Sequence, residues 1–177
     1  WELVAPPELV TDSCLFVMGS EGRGEQLLKT DQDNGLIIRD ESPLDDATIA
    51  DACERFSAAL IGFGYPVCPG GIMVNRPAWR KRREAFAITV RQWLLRPDPE
   101  GLMALAIFID SQPVAGDPAL LTSVRRSLDG LVSSSDSLLG RFAAAIDAFP
   151  GQAGGWWNRL LLIGEPGQGQ EKLDLKK

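Results

Sequence analysis

The stretch from Cys14 to Asn34 constrains this chain more than any other. Cys14-Leu-Phe-Val-Met18 is an apolar run between Asp12-Ser13 and Gly19-Ser20; three glycines, Gly19, Gly22 and Gly24, come next, and then the carboxylates Asp31 and Asp33. An unbroken apolar run between turn formers predicts a buried strand. The glycines permit positive φ and close backbone approach. Amide N–H groups can therefore face phosphate oxygens, helped by the positive end of the short helix expected next. Asp33–Ile38 predicts a second strand, ended by the polar Arg39-Asp-Glu-Ser-Pro43. On a strand, residues two apart share a face with Cα atoms roughly 6–7 Å apart, so Asp31 and Asp33 can turn their oxygens toward common cations. Oxygen ligands completed by water and substrate phosphates suit Mg²⁺, or Mn²⁺ in its place. Two such ions ~3.5–4 Å apart can hold the attacking and leaving oxygens of an in-line phosphoryl displacement. No Gly-Lys-Ser/Thr follows the loop and no GxGxxG is present, so it is neither a Walker A loop nor a dinucleotide fingerprint.

Composition narrows the chemistry further. The chain has no histidine, which excludes a Ser-His-Asp triad, a Cys-His pair and any histidine metal ligand within these 177 residues. A metal here must sit on carboxylates. The net charge of −6 disfavours nonspecific binding to nucleic acid or to an anionic membrane surface. Cys14, Cys53 and Cys68 are odd in number and lack CxxC spacing, which predicts reduced thiols and an intracellular, cytoplasmic setting. The longest apolar stretches, such as Leu102–Ile109, fall well short of the ~20 residues of a membrane helix. Length and a 45% hydrophobic content fit one compact domain. The chain opens at Trp1 without methionine and stops in Leu-Asp-Leu-Lys-Lys177 with no cap or turn, so residues 1–177 read as a single domain taken from a longer protein.

Ile49, Cys53, Phe56, Leu60 and Phe63 recur every three or four positions, predicting an amphipathic helix over 46–63. Ile72–Val74 reads as a short strand, and Pro77 as the first residue of a helix reaching toward Leu95, broken by Arg96-Pro-Asp-Pro99. Ala104–Ile109 reads as a third strand with Asp110 at its carboxyl end; 118–149 reads as one or two helices, and Leu160–Ile163 and Lys172–Leu175 as further strands. Alternating strands and helices give an α/β or α+β class around a small mixed sheet flanked by helices.

Gly19-Ser20 followed by Asp31-Gln32-Asp33 resembles the Gly-Gly/Ser … Asp-x-Asp signature of the DNA-polymerase-β-like nucleotidyltransferase superfamily. The fuller run Gly19–Asn34 resembles the nucleotidyltransferase domain called DUF294, a relative of the uridylyltransferase that modifies PII signalling proteins. Cys68-Pro-Gly-Gly-Ile-Met, Asn75-Arg-Pro-Ala-Trp-Arg80, Ile107-Phe-Ile-Asp110 with Gly116-Asp117, and Leu173–Lys177 carry the same likeness over most of the chain. It implies a nucleotidyltransferase fold, attached in the full-length protein to a cyclic-nucleotide-binding-like domain, paired CBS domains and a helical domain. It also implies a third carboxylate on a neighbouring strand: Asp110, with Asp174 and Asp117 as alternatives. Gln32 and Asn34 depart from the apolar residues that commonly flank the Asp pair in the superfamily.

On that reading the chain binds a nucleoside triphosphate at Gly19–Thr30 and transfers a nucleoside monophosphate to an acceptor hydroxyl, releasing pyrophosphate. Asp31, Asp33 and Asp110 are the catalytic and metal-binding set, and Gly19, Ser20, Arg23, Lys29 and Thr30 bind the nucleotide. Ser20 offers its hydroxyl and amide to a phosphate; Arg23 supplies a bidentate hold and Lys29 a mobile charge. By resemblance to the PII-modifying enzyme, the acceptor is a protein of a signalling circuit. Arg80-Lys-Arg-Arg83 is the densest basic run and reads as solvated surface, Arg80 being its best candidate for reaching substrate; Trp156-Trp157 reads as core or a domain contact. The rival reading is a regulatory module that binds nucleotide without chemistry, and a third is an interaction domain with a vestigial site.

Overall fold

The structure is a computed structural model, and it describes residues 1–22, 31–95 and 98–132. Among these, strands β1 (Ser13–Val17), β2 (Asn34–Ile38), β3 (Arg80–Arg82) and β4 (Gln112–Gly116) form one mixed sheet in the order β3-β2-β1-β4. β1 runs antiparallel to both β2 and β4, and β2 runs parallel to β3. The two inner strands are buried along nearly their whole length, which explains why their sequences are continuous apolar runs rather than alternating ones. This is the small mixed sheet flanked by helices that the sequence predicts.

The pleat divides the core into two layers. On one face Leu15 and Leu36, a cross-strand pair, pack with Ile38 against Leu9 of helix α1 (Pro7–Thr11) and against Ile49, Ala52 and Cys53 of helix α3 (Asp46–Gly62). α3 starts where Asp45 caps it, its side chain accepting from Thr48 N at 2.7 Å. On the other face lies an aromatic cluster in which Phe16 makes edge-on contacts with Phe86 and Phe108, and Trp79 and Trp93 continue the stack. Phe16 lies opposite Gly35, where an added Cβ would stand 2.4 Å from the Phe16 ring; the glycine makes room for it. Phe86 and Trp93 belong to helix α4 (Arg83–Leu95), and Phe108 to helix α5 (Pro99–Ile109). Helix α6 (Pro118–Val132) buries Leu120, Leu121, Val124 and Leu128. The compact unit containing these elements is Trp1–Leu128; the second unit begins at Asp129, of which only the end of α6 is described.

Three expectations fail. Ala104–Ile109 is not a strand but the body of α5, and the strand of that region is β4, beyond Asp110. Asp98 caps α5, accepting from Gly101 N at 2.7 Å, and Pro99 holds its first turn, so residues expected to end one helix begin the next. Ile72–Val74 forms no strand, and the predicted helix from Pro77 divides into a 3-10 turn at Pro77–Trp79, the short β3 and α4. The expected strands at 160–163 and 172–175, and Trp156-Trp157, lie outside the described residues. All three cysteines are buried free thiols, and burial pushes Cys14 and Cys53 up to about 11. Among the described residues no helix is long and apolar enough to cross a membrane.

Candidate active site

The sheet register determines which parts of the chain meet. Both neighbours of β1 are antiparallel to it, so both begin where β1 ends: Val17 pairs with Asn34 on one side and with Gln112 on the other. The residues just before β2 and just before β4 therefore flank the turn that leaves β1. Those residues are Asp31 and Asp33 on one side, Asp110 and Ser111 on the other. The turn is α2 (Gly19–Gly22), a single helical turn entered through Gly19 at φ 60°.

Asp31 and Asp33 stand in the lead-in to β2 rather than on the strand itself, although the ladder extends to them through Met18 N, which donates to Asp33 O at 2.9 Å. The period of two holds. Gln32 and Asn34 point inward and are buried; Asp31 and Asp33, between and beside them, are half-buried. The polar flanks have a structural use. Gln32 N donates to Pro66 O at 3.1 Å and its Nε2 to Tyr65 O at 3.4 Å, while Asn34 N donates to Ile72 O at 3.1 Å and its Oδ1 accepts from Val74 N at 2.8 Å. They fasten segment 65–74 alongside the carboxylates. An apolar residue at either position would leave buried carbonyl and amide groups of that segment without those partners.

This segment carries the residue that sequence reasoning missed. Cys68 lies beside the Asp33 carboxylate, and burial together with that carboxylate raises the Cys68 thiol above its ordinary value. Asp33 is itself raised from 3.8, first by desolvation and then by the charge of Asp31, with the neighbouring Cys68 thiol acting in the opposite direction. Its Oδ1 is buried and has no hydrogen-bond partner among the described residues. Nothing in the spacing of Cys68 marks it; only the fastening by Gln32 and Asn34 brings it within reach.

Gly19 brings its backbone close against the other oxygen of Asp33. A Cβ there would stand 2.8 Å from Asp33 Oδ2, on a backbone conformation that side chains rarely adopt. Gly22 packs against Asp110: a Cβ on it would lie 2.2 Å from the Asp110 carbonyl oxygen. Asp110 caps the end of α5 and is buried, so it reaches this end of the sheet from a helix terminus and not from a strand end. Among the described residues no three Asp, Glu or Cys side chains converge as a metal-binding group, so Asp31, Asp33 and Asp110 do not form one three-carboxylate cluster.

Asp117, an alternative to Asp110, lies at the opposite end of the sheet. Its N–H donates to Ser13 O at 2.8 Å and its carboxylate pairs with Arg39 at 2.8 Å, one β1 length away or roughly 14 Å. Asp174, Arg23, Lys29 and Thr30 lie outside the described residues. The basic run proves to be internal scaffolding. Arg80 donates to Val74 O and Asn75 O, and Arg82 to the carbonyls of Arg39, Asp40, Ser42 and Leu44. Arg80 is thus directed at the loop before it and not at a substrate.

A mixed sheet whose inner strand β1 ends in a glycine-entered turn between acidic lead-ins defines an α/β protein with a carboxylate site at one end of the sheet. Residues 1–100, more than half of the chain, match the family described as putative nucleotidyltransferase DUF294, and the chain belongs to that family. The family gives the general reaction type, nucleotidyl transfer. No curated protein and no solved structure matches the chain.

Proposed function

We propose that this domain is a Mg²⁺-dependent nucleotidyltransferase that moves a nucleoside monophosphate from a nucleoside triphosphate to an acceptor hydroxyl, in the cytoplasm, on a protein acceptor. The observation that carries the reading is the state of Asp33: half-buried, raised by desolvation, beside a second carboxylate, with one oxygen unpartnered among the described residues and the other approached closely by the Gly19 backbone. Desolvating a carboxylate without pairing it is costly, and a hard cation compensates directly. Asp31 and Asp33 would hold the metal, with water and phosphate oxygens completing the shell. When bound, Mg²⁺ supplies charge neutralisation for the triphosphate and its leaving group.

The chain's own groups do the rest. Gly19 lets the backbone of the turn approach Asp33 closely, and Ser20, Arg23, Lys29 and Thr30 hold the phosphates. The acceptor oxygen bonds to the α-phosphorus as the bond to pyrophosphate breaks, and its proton passes to Asp110 or through water to solvent. Cys68 packs beside the Asp33 carboxylate. The rival, nucleotide sensing without transfer, gains from the absence of a three-carboxylate group among the described residues. Labelled triphosphates, Mg²⁺ and cell extract separate the two. Transfer is expected, and it is lost in Asp31→Asn with Asp33→Asn. Binding with no labelled product in any extract favours the sensor, and product unchanged by the paired substitution removes the Asp pair from the chemistry.

A further inference from the structure

A second feature adjoins the carboxylates. Between the Gly70–Ile72 loop and helices α4 and α5 lies an open cleft of about 710 Å³, well within the roughly 300–1,000 Å³ of ligand sites. Trp79 and Trp93, with ring centroids 5.4 Å apart, and Ile72 and Met103 give it apolar walls. Among the described residues its charged lining consists of Asp98 and Glu100, both exposed, with no basic residue. We propose that this cleft is the acceptor site and that the acceptor is a polypeptide segment carrying lysine or arginine beside its reactive hydroxyl, a proposal that rests on the nucleotidyl-transfer reading.

The cleft and the carboxylates share a wall. Gly70 lines the cleft, and a Cβ on it would stand 3.7 Å from the sulfur of Cys68, which lies beside Asp33. Ile72 also lines the cleft, and its carbonyl accepts from the N–H of Asn34, the residue after Asp33. A ligand in the cleft is thus one loop away from the proposed reaction centre. Its chemistry follows from the lining. An ammonium or guanidinium gains from the partly exposed Trp93 ring and from charge-assisted bonds to carboxylates. The phosphates of a nucleotide are repelled by those carboxylates. A nucleobase has no charge to meet two acidic side chains and fills only part of such a volume.

The full chain is titrated with two fluorescent pentapeptides, a tyrosine flanked by lysine and arginine and its counterpart flanked by glutamate and aspartate. The basic peptide binds and the acidic one does not. Asp98→Asn with Glu100→Gln weakens basic-peptide binding by about tenfold, an effect reduced by added salt. The asparagine keeps the α5 cap, so the fold is retained. Ala78→Phe, a change at an exposed lining residue, weakens binding by narrowing the cleft. Asp31→Asn with Asp33→Asn leaves peptide binding unchanged, because those residues are not in the cleft. Equal binding of the two peptides, or basic-peptide binding unaffected by both cleft variants, overturns the proposal. So does loss of nucleotide affinity without loss of peptide affinity in Asp98→Asn with Glu100→Gln, which would assign the cleft to the base. Peptide binding at the cleft combined with no transfer from any triphosphate defeats the nucleotidyltransferase reading and leaves the cleft as a binding site for basic segments.

Discussion

Asp33 shows how a single residue can cost stability where it serves chemistry. Its folded-state pKa is raised, so between its ordinary 3.8 and the raised value the native state binds more protons than the unfolded chain. Stability therefore falls as pH rises through that window, and the full cost stands at neutral pH. Asp33→Asn removes the charge while keeping the shape of the side chain. At pH 7 its melting temperature should exceed that of the unsubstituted protein by about 2–5 °C, with the gap closing below pH 3.8. Mg²⁺ should raise the melting temperature of the unsubstituted protein and not that of the variant. A variant less stable than the parent at pH 7 would show that the carboxylate is compensated in the native fold. Gly35 is the opposite case, a residue whose side chain must be absent. Gly35→Ala pushes a methyl group into the Phe16 ring, itself locked by Phe86 and Phe108, and should lower stability by about 1–3 kcal/mol in a denaturant titration.

At the scale of elements, α5 separates what pattern reveals from what it hides. Leu102-Met-Ala-Leu-Ala-Ile-Phe-Ile109 is apolar on every side, so no period stands out, and a short apolar run fits strand and helix alike. Burial restores the period: Leu102, Leu105 and Phe108, three apart, are the buried members. The deciding signal was Asp98-Pro99, which is as good a start for a helix as it is a stop for the preceding one. Asp98→Ala should cost about 1 kcal/mol and loosen the first turn of α5, measured by thermal unfolding and by amide exchange at Gly101. If exchange at Gly101 is unchanged, the cap does not hold that turn. β1, β2 and α3 were legible because each has a bounded apolar run or a clear helical period. β3 was not, being three basic residues that pair only because Arg80 and Arg82 are held by carbonyls elsewhere in the chain.

For the whole molecule, the buried core described here falls within Trp1–Leu128, drawing on both faces of one sheet. A chain ending at Val132 should therefore unfold in one cooperative transition and retain the Mg²⁺ response. Loss of cooperativity would mean that residues beyond 132 contribute to this core. Among the candidate residues, Asp31, Asp33 and Gly19 were readable from spacing alone because they lie within one strand-turn-strand unit. Asp110 was chosen for an incorrect reason, the end of a strand that is in fact a helix. Its place beside Gly22 follows from β4 pairing with β1, a contact between positions about a hundred residues apart.

Local order in the sequence set the inner strands, the caps of α3 and the acidic pair, since each depends on neighbours within a few positions. Long-range pairing alone decided the rest. It placed Cys68 on Asp33 through the buried Gln32 and Asn34, moved Asp117 to the far end of the sheet, and opened an acidic, tryptophan-walled cleft beside the carboxylates. Hydrogen-bond partners and burial are properties of what folds against a residue, and one-dimensional spacing carries no record of them.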